Sequence, residues 1–108
     1  MVGPESALAL FRVLQESTTN TAKHCGKGTR VDVTLTFTPG HAQLTVRDAG
    51  KGFALPADAT ALSRDGHYGL ANMRERANKV AGQIRMTSEP GKGTCIELTV
   101  HAGEEQER

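Results

Sequence analysis

The sequence predicts a two-layer α+β sandwich, a mostly antiparallel sheet covered on one face by helices. Three observations carry this. Two stretches, one near the start and one past the middle, repeat apolar or small residues at helical spacing. Four others read as strands, most clearly the first two, which alternate apolar and polar residues. The strands fall into two pairs, each joined by a short glycine-containing turn, and short turns imply antiparallel neighbours.

The first helix begins at Pro4, whose missing N–H costs little in a first turn, with Glu5 beside it at the positive helix end. It runs to about Cys25 and stops at Gly26-Lys27-Gly28. Leu10, Val13, Leu14 and Ser17 form one small or apolar stripe on it. Arg30 to Phe37 is expected to be a half-buried strand, with Val31, Val33, Leu35 and Phe37 on one face. Thr38-Pro39-Gly40-His41 is a turn, and Ala42 to Asp48 is the second strand of a hairpin, with Leu44 and Val46 inward. Ala54 to Tyr68 has no period; a loop that long in a small domain reads as a functional lid or as disordered, and it is expected to be mobile without ligand and to order on binding. Gly69 to Val80 repeats Leu70, Met73, Ala77 and Val80 at helical spacing, and Gly82 is expected to cap it. Gln83 to Ser88 is a strand with Ile84 and Met86 on one face, Glu89-Pro90-Gly91-Lys92-Gly93 is a tight turn, and Thr94 to Val100 is the last strand. In that strand Leu98 and Val100 fill the core with either Cys95 or Ile96. Residues 101–108 are polar and are expected to fray.

The 108 residues suffice for one domain with a modest core, and an aromatic content of 4% means that core is aliphatic. A formal net charge of +1 argues against a nucleic-acid binder working by bulk electrostatics. No apolar run approaches a membrane span and no signal peptide precedes the first helix, so the expected location is cytoplasmic. Cys25 and Cys95 lack metal-ligand spacing and read as small buried residues rather than a disulfide.

The chemistry-bearing residues gather in few places. Glu16, Asn20, Lys23 and His24 form a polar row on the first helix. Asn offers a neutral oxygen to a hard cation, and Lys a point charge to a phosphate. Taken alone, the row reads as a solvated helix face. Two glycine-rich loops and an aspartate between strand and turn change that reading. Asp48 ends a strand and is followed by Gly50 and Gly52, which permit close approach of backbone to a ligand. Arg74 and Arg76 read as a solvated face or a domain interface, and Lys51 and Lys92 as surface charge.

Four segments then match one family in order. Gln15 to His24 (Gln-Glu-Ser-Thr-Thr-Asn-Thr-Ala-Lys-His) resembles its asparagine box, and Val46 to Phe53 (Val-Arg-Asp-Ala-Gly-Lys-Gly-Phe) its first glycine box. Gly66 to Ala77 resembles the second glycine box, and Gly91-Lys92-Gly93-Thr94 the third. The chain thus resembles the ATP-binding catalytic domain of bacterial two-component sensor histidine kinases, of the superfamily that holds DNA gyrase, MutL and a heat-shock chaperone. It is most similar to the short-lid branch typified by nitrate sensors and a membrane-fluidity sensor. The resemblance covers about residues 7–100 and implies a Bergerat-type ATP-binding fold with ATP and Mg2+ as cofactors. It implies that Asn20 coordinates Mg2+, and that Glu16 sits beside the metal and γ-phosphate, orienting a water or assisting proton removal. Lys23 would contact phosphates; His24 is read either that way or as helix-end packing. Asp48 would accept a hydrogen bond from the adenine amine, with Gly50 and Gly52 letting the backbone pass the purine. Gly66, Gly69 and Leu70 would close the lid at the phosphates, where the second helix presents its N-terminal N–H groups. Thr94 would join a water network linking Asp48 to the base.

The implied function is donation of the γ-phosphoryl group to a histidine on a separate dimerisation domain of the same parent, with a response-regulator receiver domain downstream. The alternatives are a serine-kinase anti-sigma factor of the same fold and a non-catalytic nucleotide-dependent binding module. Ser17 and Thr18 depart from the family, which is usually apolar there, as does Ala49, where an amide is common. No helix carries a His-Asp or His-Glu pair to serve as phosphoacceptor. The expectation is therefore a piece of a longer, sometimes membrane-anchored protein, monomeric when isolated.

Overall fold

The computed structural model describes residues 2–25, 28–52 and 68–102. Helix α1 spans Pro4–Cys25, strand β1 Val31–Thr38, strand β2 His41–Asp48, helix α2 Tyr68–Lys79, strand β3 Gln83–Ser88 and strand β4 Thr94–His101. The four strands form one sheet in the order β1-β2-β4-β3, every neighbouring pair antiparallel. The helices pack on one face of this sheet and against each other, α1 over β2 and β4 and α2 over β3. This is the expected α+β architecture.

The β1–β2 hairpin turns through Pro39 and Gly40, whose φ of 83° is the positive value a Pro-Gly turn requires at its second position. Register pairs Val33 with Val46, Leu35 with Leu44 and Phe37 with Ala42, so the apolar side of β1 continues the helix-covered side of β2. The core lies between α1, α2 and the central strands: Ala9 and Val13, Leu70, Met73 and Ala77, Leu44 and Val46, and Ile96, Leu98 and Val100. Ile96, not Cys95, shares that face; Cys95 is buried as a free thiol on the opposite side. Met73, Leu98, Val13 and Val100 are the largest fully buried side chains, each contributing about 1.5–3 kcal/mol.

Three expectations need correction. The apolar face of β1 is not buried: Val33 is 47%, Leu35 49% and Phe37 64% exposed. The two helices lie over the strands from β2 onward, so β1 carries a core-type pattern at an edge beyond their cover. Gly82 takes part in capping α2 but does not hold its left-handed position. The Gly82 N–H donates to the Ala77 carbonyl at 2.8 Å and the Ala81 N–H to the Asn78 carbonyl at 3.1 Å, a Schellman pattern that puts Ala81, with φ of 55°, in the left-handed position. Gly82 is needed one residue later, where a Cβ would come within 2.7 Å of the Thr99 carbonyl oxygen. The tail is ordered further than expected: His101 ends β4, and Ala102 is buried, its N–H bonded to the Gly40 carbonyl at 2.9 Å. Residues 103–108 and the expected lid, apart from Tyr68, lie outside the described residues.

Candidate functional site

Helix α1 carries two kinds of surface. Ala9, Val13, Ser17 and Thr21 are buried against the sheet and α2. Glu16 and Asn20 are half-buried on the neighbouring face, and Lys23 is exposed one turn further on. The hydroxyls on the buried stripe are satisfied. Ser17 Oγ donates to the Val13 carbonyl at 2.7 Å and also lies 3.4 Å from Met73 Sδ, while Thr18 Oγ1 lies 3.0 Å from the Leu14 carbonyl. The polar residues at 17 and 18 therefore sit in α1 without an unmet hydrogen bond.

Glu16 and Asn20 meet the start of α2 at Gly69. A Cβ built on Gly69 would lie 2.7 Å from Glu16 Oε2 and 2.9 Å from both Oδ1 and Nδ2 of Asn20. The missing side chain is what lets the amino end of α2 settle on a carboxylate and an amide of α1. The first N–H groups of a helix have no partner within it, so those of α2 face the same neighbourhood as these two side chains. Leu70 belongs to the core, so what it offers a ligand is its backbone N–H rather than its side chain. Gly66 and the side chain of His24 lie outside the described residues. A groove between the helices runs from Glu16 past Arg12, Asn72 and Arg76, which accounts for the half-burial of Arg76; Arg74 is exposed.

The second cluster is built on Asp48, at the end of β2 and directly opposite Thr94 of β4. Its Oδ1 accepts from the Gly50 N–H at 2.9 Å and from the Thr94 N–H at 3.1 Å. Its Oδ2 accepts from Thr21 Oγ1 at 2.9 Å. Thr94 thus touches Asp48 directly through its backbone, while its hydroxyl bonds Ser88 Oγ at 2.9 Å. Gly93, at φ of 78°, and Gly52, at φ of 67°, are where backbones press together. A Cβ on Gly93 would strike the Asp48 carbonyl oxygen, and one on Gly52 the Glu89 carbonyl oxygen. The Gly91 N–H donates to the Lys51 carbonyl at 2.6 Å, fastening the β3–β4 turn to the loop after β2.

The two clusters join through consecutive residues, since Asn20 belongs to one and Thr21 to the other. Thr21, Ser88 and Gly93 received no individual role in the sequence reading. For Thr21 a signal was present, a hydroxyl four residues after Ser17 on the buried stripe and next to Asn20. Among the described residues no group of three or more His, Cys, Asp or Glu side chains is gathered as a metal site. A Glu and an Asn side by side are the donor set of a hard cation that keeps waters or phosphate oxygens as its other ligands.

The model of the histidine kinase-, DNA gyrase B- and HSP90-like ATPases matches residues 5–104. The chain belongs to this family. Among relatives, it is 36% identical over 93 residues to the signal transduction histidine-protein kinase/phosphatase DegS of Brevibacillus brevis, covering 86% of this chain and 22% of that protein. It is 40% identical over 91 residues to the sensor histidine kinase LiaS of Bacillus subtilis, covering 84% of this chain and 24% of that protein. The chain thus spans about a quarter of the length of these relatives. Among solved structures, the histidine kinase domain of the Erythrobacter litoralis EL346 blue-light activated histidine kinase superimposes with a TM-score of 0.73 at 20% identity, over 94% of this chain and 46% of that one. The mycobacterial sensor histidine kinase MprB gives 0.63 at 25% identity, over 86% of this chain and 70% of that one. The likeness to solved structures shows the α+β fold of these domains, and the relatives are named as histidine kinases. Among the described residues no helix is long and apolar enough to cross a membrane.

Proposed function

We propose that the chain binds Mg-ATP and, as the catalytic module of a two-component sensor kinase, presents its γ-phosphoryl group to a histidine on a separate dimerisation domain of the parent protein. The observation that carries this is the junction on α1: Thr21 bonds the carboxylate of Asp48 while Asn20, the preceding residue, meets Glu16 at the amino end of α2. A fixed carboxylate at a strand end can accept a hydrogen bond from the exocyclic amine of adenine and repels the carbonyl of guanine. An amide and a carboxylate beside the amino end of a helix suit a metal-bound triphosphate.

In this reading Asn20 holds the metal, Glu16 orients a water or the incoming nucleophile, and Lys23 draws a phosphate oxygen from its exposed position. His24, Gly66, Gly69 and Leu70 border the phosphates, and Gly50 and Gly52 border the purine. Bound Mg2+ supplies charge neutralisation, and transfer of this kind depends chiefly on positioning. The relatives named as histidine kinases favour histidine over serine as acceptor. The partners that follow are the parent's own dimerisation domain and, downstream, a response regulator, in a cytoplasmic setting whose parent can be membrane-anchored. Placement in the short-lid branch belongs to the same proposal.

The test is Asp48→Asn, which keeps an oxygen for the Gly50 and Thr94 N–H groups and exchanges the other for an NH2 that cannot accept from adenine. Titration with ATP and GTP should show the preference for ATP collapsing while the melting temperature stays near wild type. Unchanged discrimination would refute the assignment.

A further inference from the structure

Asp48 carries more acceptor sites than its described neighbours fill. An ionised carboxylate offers about four lone-pair sites, two on each oxygen. Oδ1 receives two N–H donors, from Gly50 and Thr94. Oδ2 receives one, the hydroxyl of Thr21. Among the described residues one site is left, on Oδ2. We propose that Thr21 is a positioning residue for nucleotide selection: its hydroxyl occupies one lone pair of Asp48 Oδ2 and aims the other at the exocyclic amine of the purine. This inference rests on the adenine reading given above and adds a determinant from α1, on the side of the carboxylate away from the glycine loops.

Thr21 is 5% exposed, so water has little access to the hydroxyl and its bond is not diluted by solvent exchange. The side chain is β-branched and held in a helix, which narrows its choice of rotamer. Its Oγ1 lies 3.2 Å from the Ser17 carbonyl and 2.9 Å from Asp48 Oδ2. A hydroxyl has one proton and can give it to one acceptor at a time. The ionised carboxylate is the stronger acceptor and the nearer one, so the proton goes there. The two N–H bonds fix Oδ1, and the Thr21 bond fixes the opposite oxygen, so the plane of the carboxylate is set before any base arrives. Without the hydroxyl, Oδ2 would have two open sites and no constraint on its direction.

Thr21→Val removes the hydroxyl at nearly constant shape, Thr21→Ala removes it without branching, and Thr21→Ser keeps it. Each folded variant is titrated with ATP and with purine riboside triphosphate, which lacks the 6-amine. The Val and Ala variants should lose about five- to tenfold in affinity for ATP, the scale of one hydrogen bond, with little change for the amine-free nucleotide, and Ser should restore the ratio. Either hydroxyl-free variant suffices if the other fails to fold. Equal losses for both nucleotides would mark Thr21 as merely structural and overturn the proposal, as would an unchanged ratio. If wild type does not distinguish the two nucleotides, the adenine reading of Asp48 fails and this inference with it. If wild type distinguishes them and the variants do too, only the role of Thr21 falls.

Discussion

Gly69→Ala should separate folding from function. The substituted Cβ would stand 2.7 Å from Glu16 Oε2 and 2.9 Å from the Asn20 amide, so both groups must retreat by roughly 0.5–0.7 Å to reach the 3.4 Å of ordinary contact. Both obstacles are the ends of flexible side chains, and a modest χ rotation costs about 0.5–1.5 kcal/mol. Replacing a helical glycine by alanine returns about 0.5–1 kcal/mol. The two nearly cancel, so the melting temperature should stay within a few degrees of wild type, at about 4–8 °C per kcal/mol for a domain of this size. Displacing the groups proposed to lie at the metal by a sizeable fraction of an ångström is another matter, since a misplacement on the order of 1 Å can cost about 100-fold. At a ligand concentration of about 100 Kd, Mg-ATP should add about 2.7 kcal/mol to the wild type, and after a loss on the order of 100-fold only about 0.4 kcal/mol to the variant. Thermal melts with and without Mg-ATP read both quantities. A variant that melts near wild type and gains as much from Mg-ATP would refute the placement of Glu16 and Asn20 at the nucleotide. A variant that unfolds would show that the α1–α2 contact cannot relax as argued.

Three further outcomes are expected. Gly93→Ala should destabilise by about 2–4 kcal/mol, because it combines a positive φ with a clash against backbone at Asp48 that no side-chain rotation relieves; urea titration measures it, and a loss below about 1 kcal/mol would contradict the packing described. Ala81→Gly should stabilise by about 0.5–1 kcal/mol by relieving the left-handed alanine at the end of α2, read as a rise in melting temperature. The isolated chain incubated with γ-labelled ATP should form no stoichiometric phosphohistidine: His41 and His101 face each other on the side of the sheet opposite the helices, at 5.4 Å between rings, away from Asn20, and robust acid-labile labelling of any histidine would overturn the need for a separate acceptor domain.

The elements were readable from sequence because each is locally consistent. α1 and β3 begin and end where Pro4, Cys25, Gln83 and Ser88 placed them, and the other elements shift by about a residue. Burial of β1 was not readable. Alternation at Val33, Leu35 and Phe37 reports that a face is apolar, and says nothing of whether a helix reaches over it; that depends on strand order, which puts β1 at the edge. The left-handed position at the end of α2 was misassigned because a glycine near a helix end has two possible reasons to be there. Gly82 answers to the strand beside it at Thr99, and Ala81 is left to take the positive φ. In the candidate site, Asp48, Asn20 and Glu16 were visible through motif and spacing. Thr21 was not singled out, because its partner lies 27 residues away in sequence and only the packing of α1 on β2 brings the two together.

That packing also accounts for the hydroxyls on the buried side of α1. Ser17 and Thr21 occupy positions where apolar side chains would bury more area, and each can satisfy itself on the carbonyl four residues back. No buried side-chain nitrogen or oxygen among the described residues lacks a partner, so the substitution costs packing rather than an orphaned polar group. Ser17 gains a contact with Met73 of α2, and Thr21 gains the carboxylate of Asp48. Each hydroxyl therefore ties α1 to a different neighbour, one to the second helix and one to the sheet. Successive residues of a helix lie about 100° apart around its axis. With Thr21 fixed on Asp48, Asn20 is turned towards Gly69 and the start of α2. A rotation of α1 that improved one contact would spoil the other. One helix register thus sets both the group proposed to read a base and the group proposed to meet a metal.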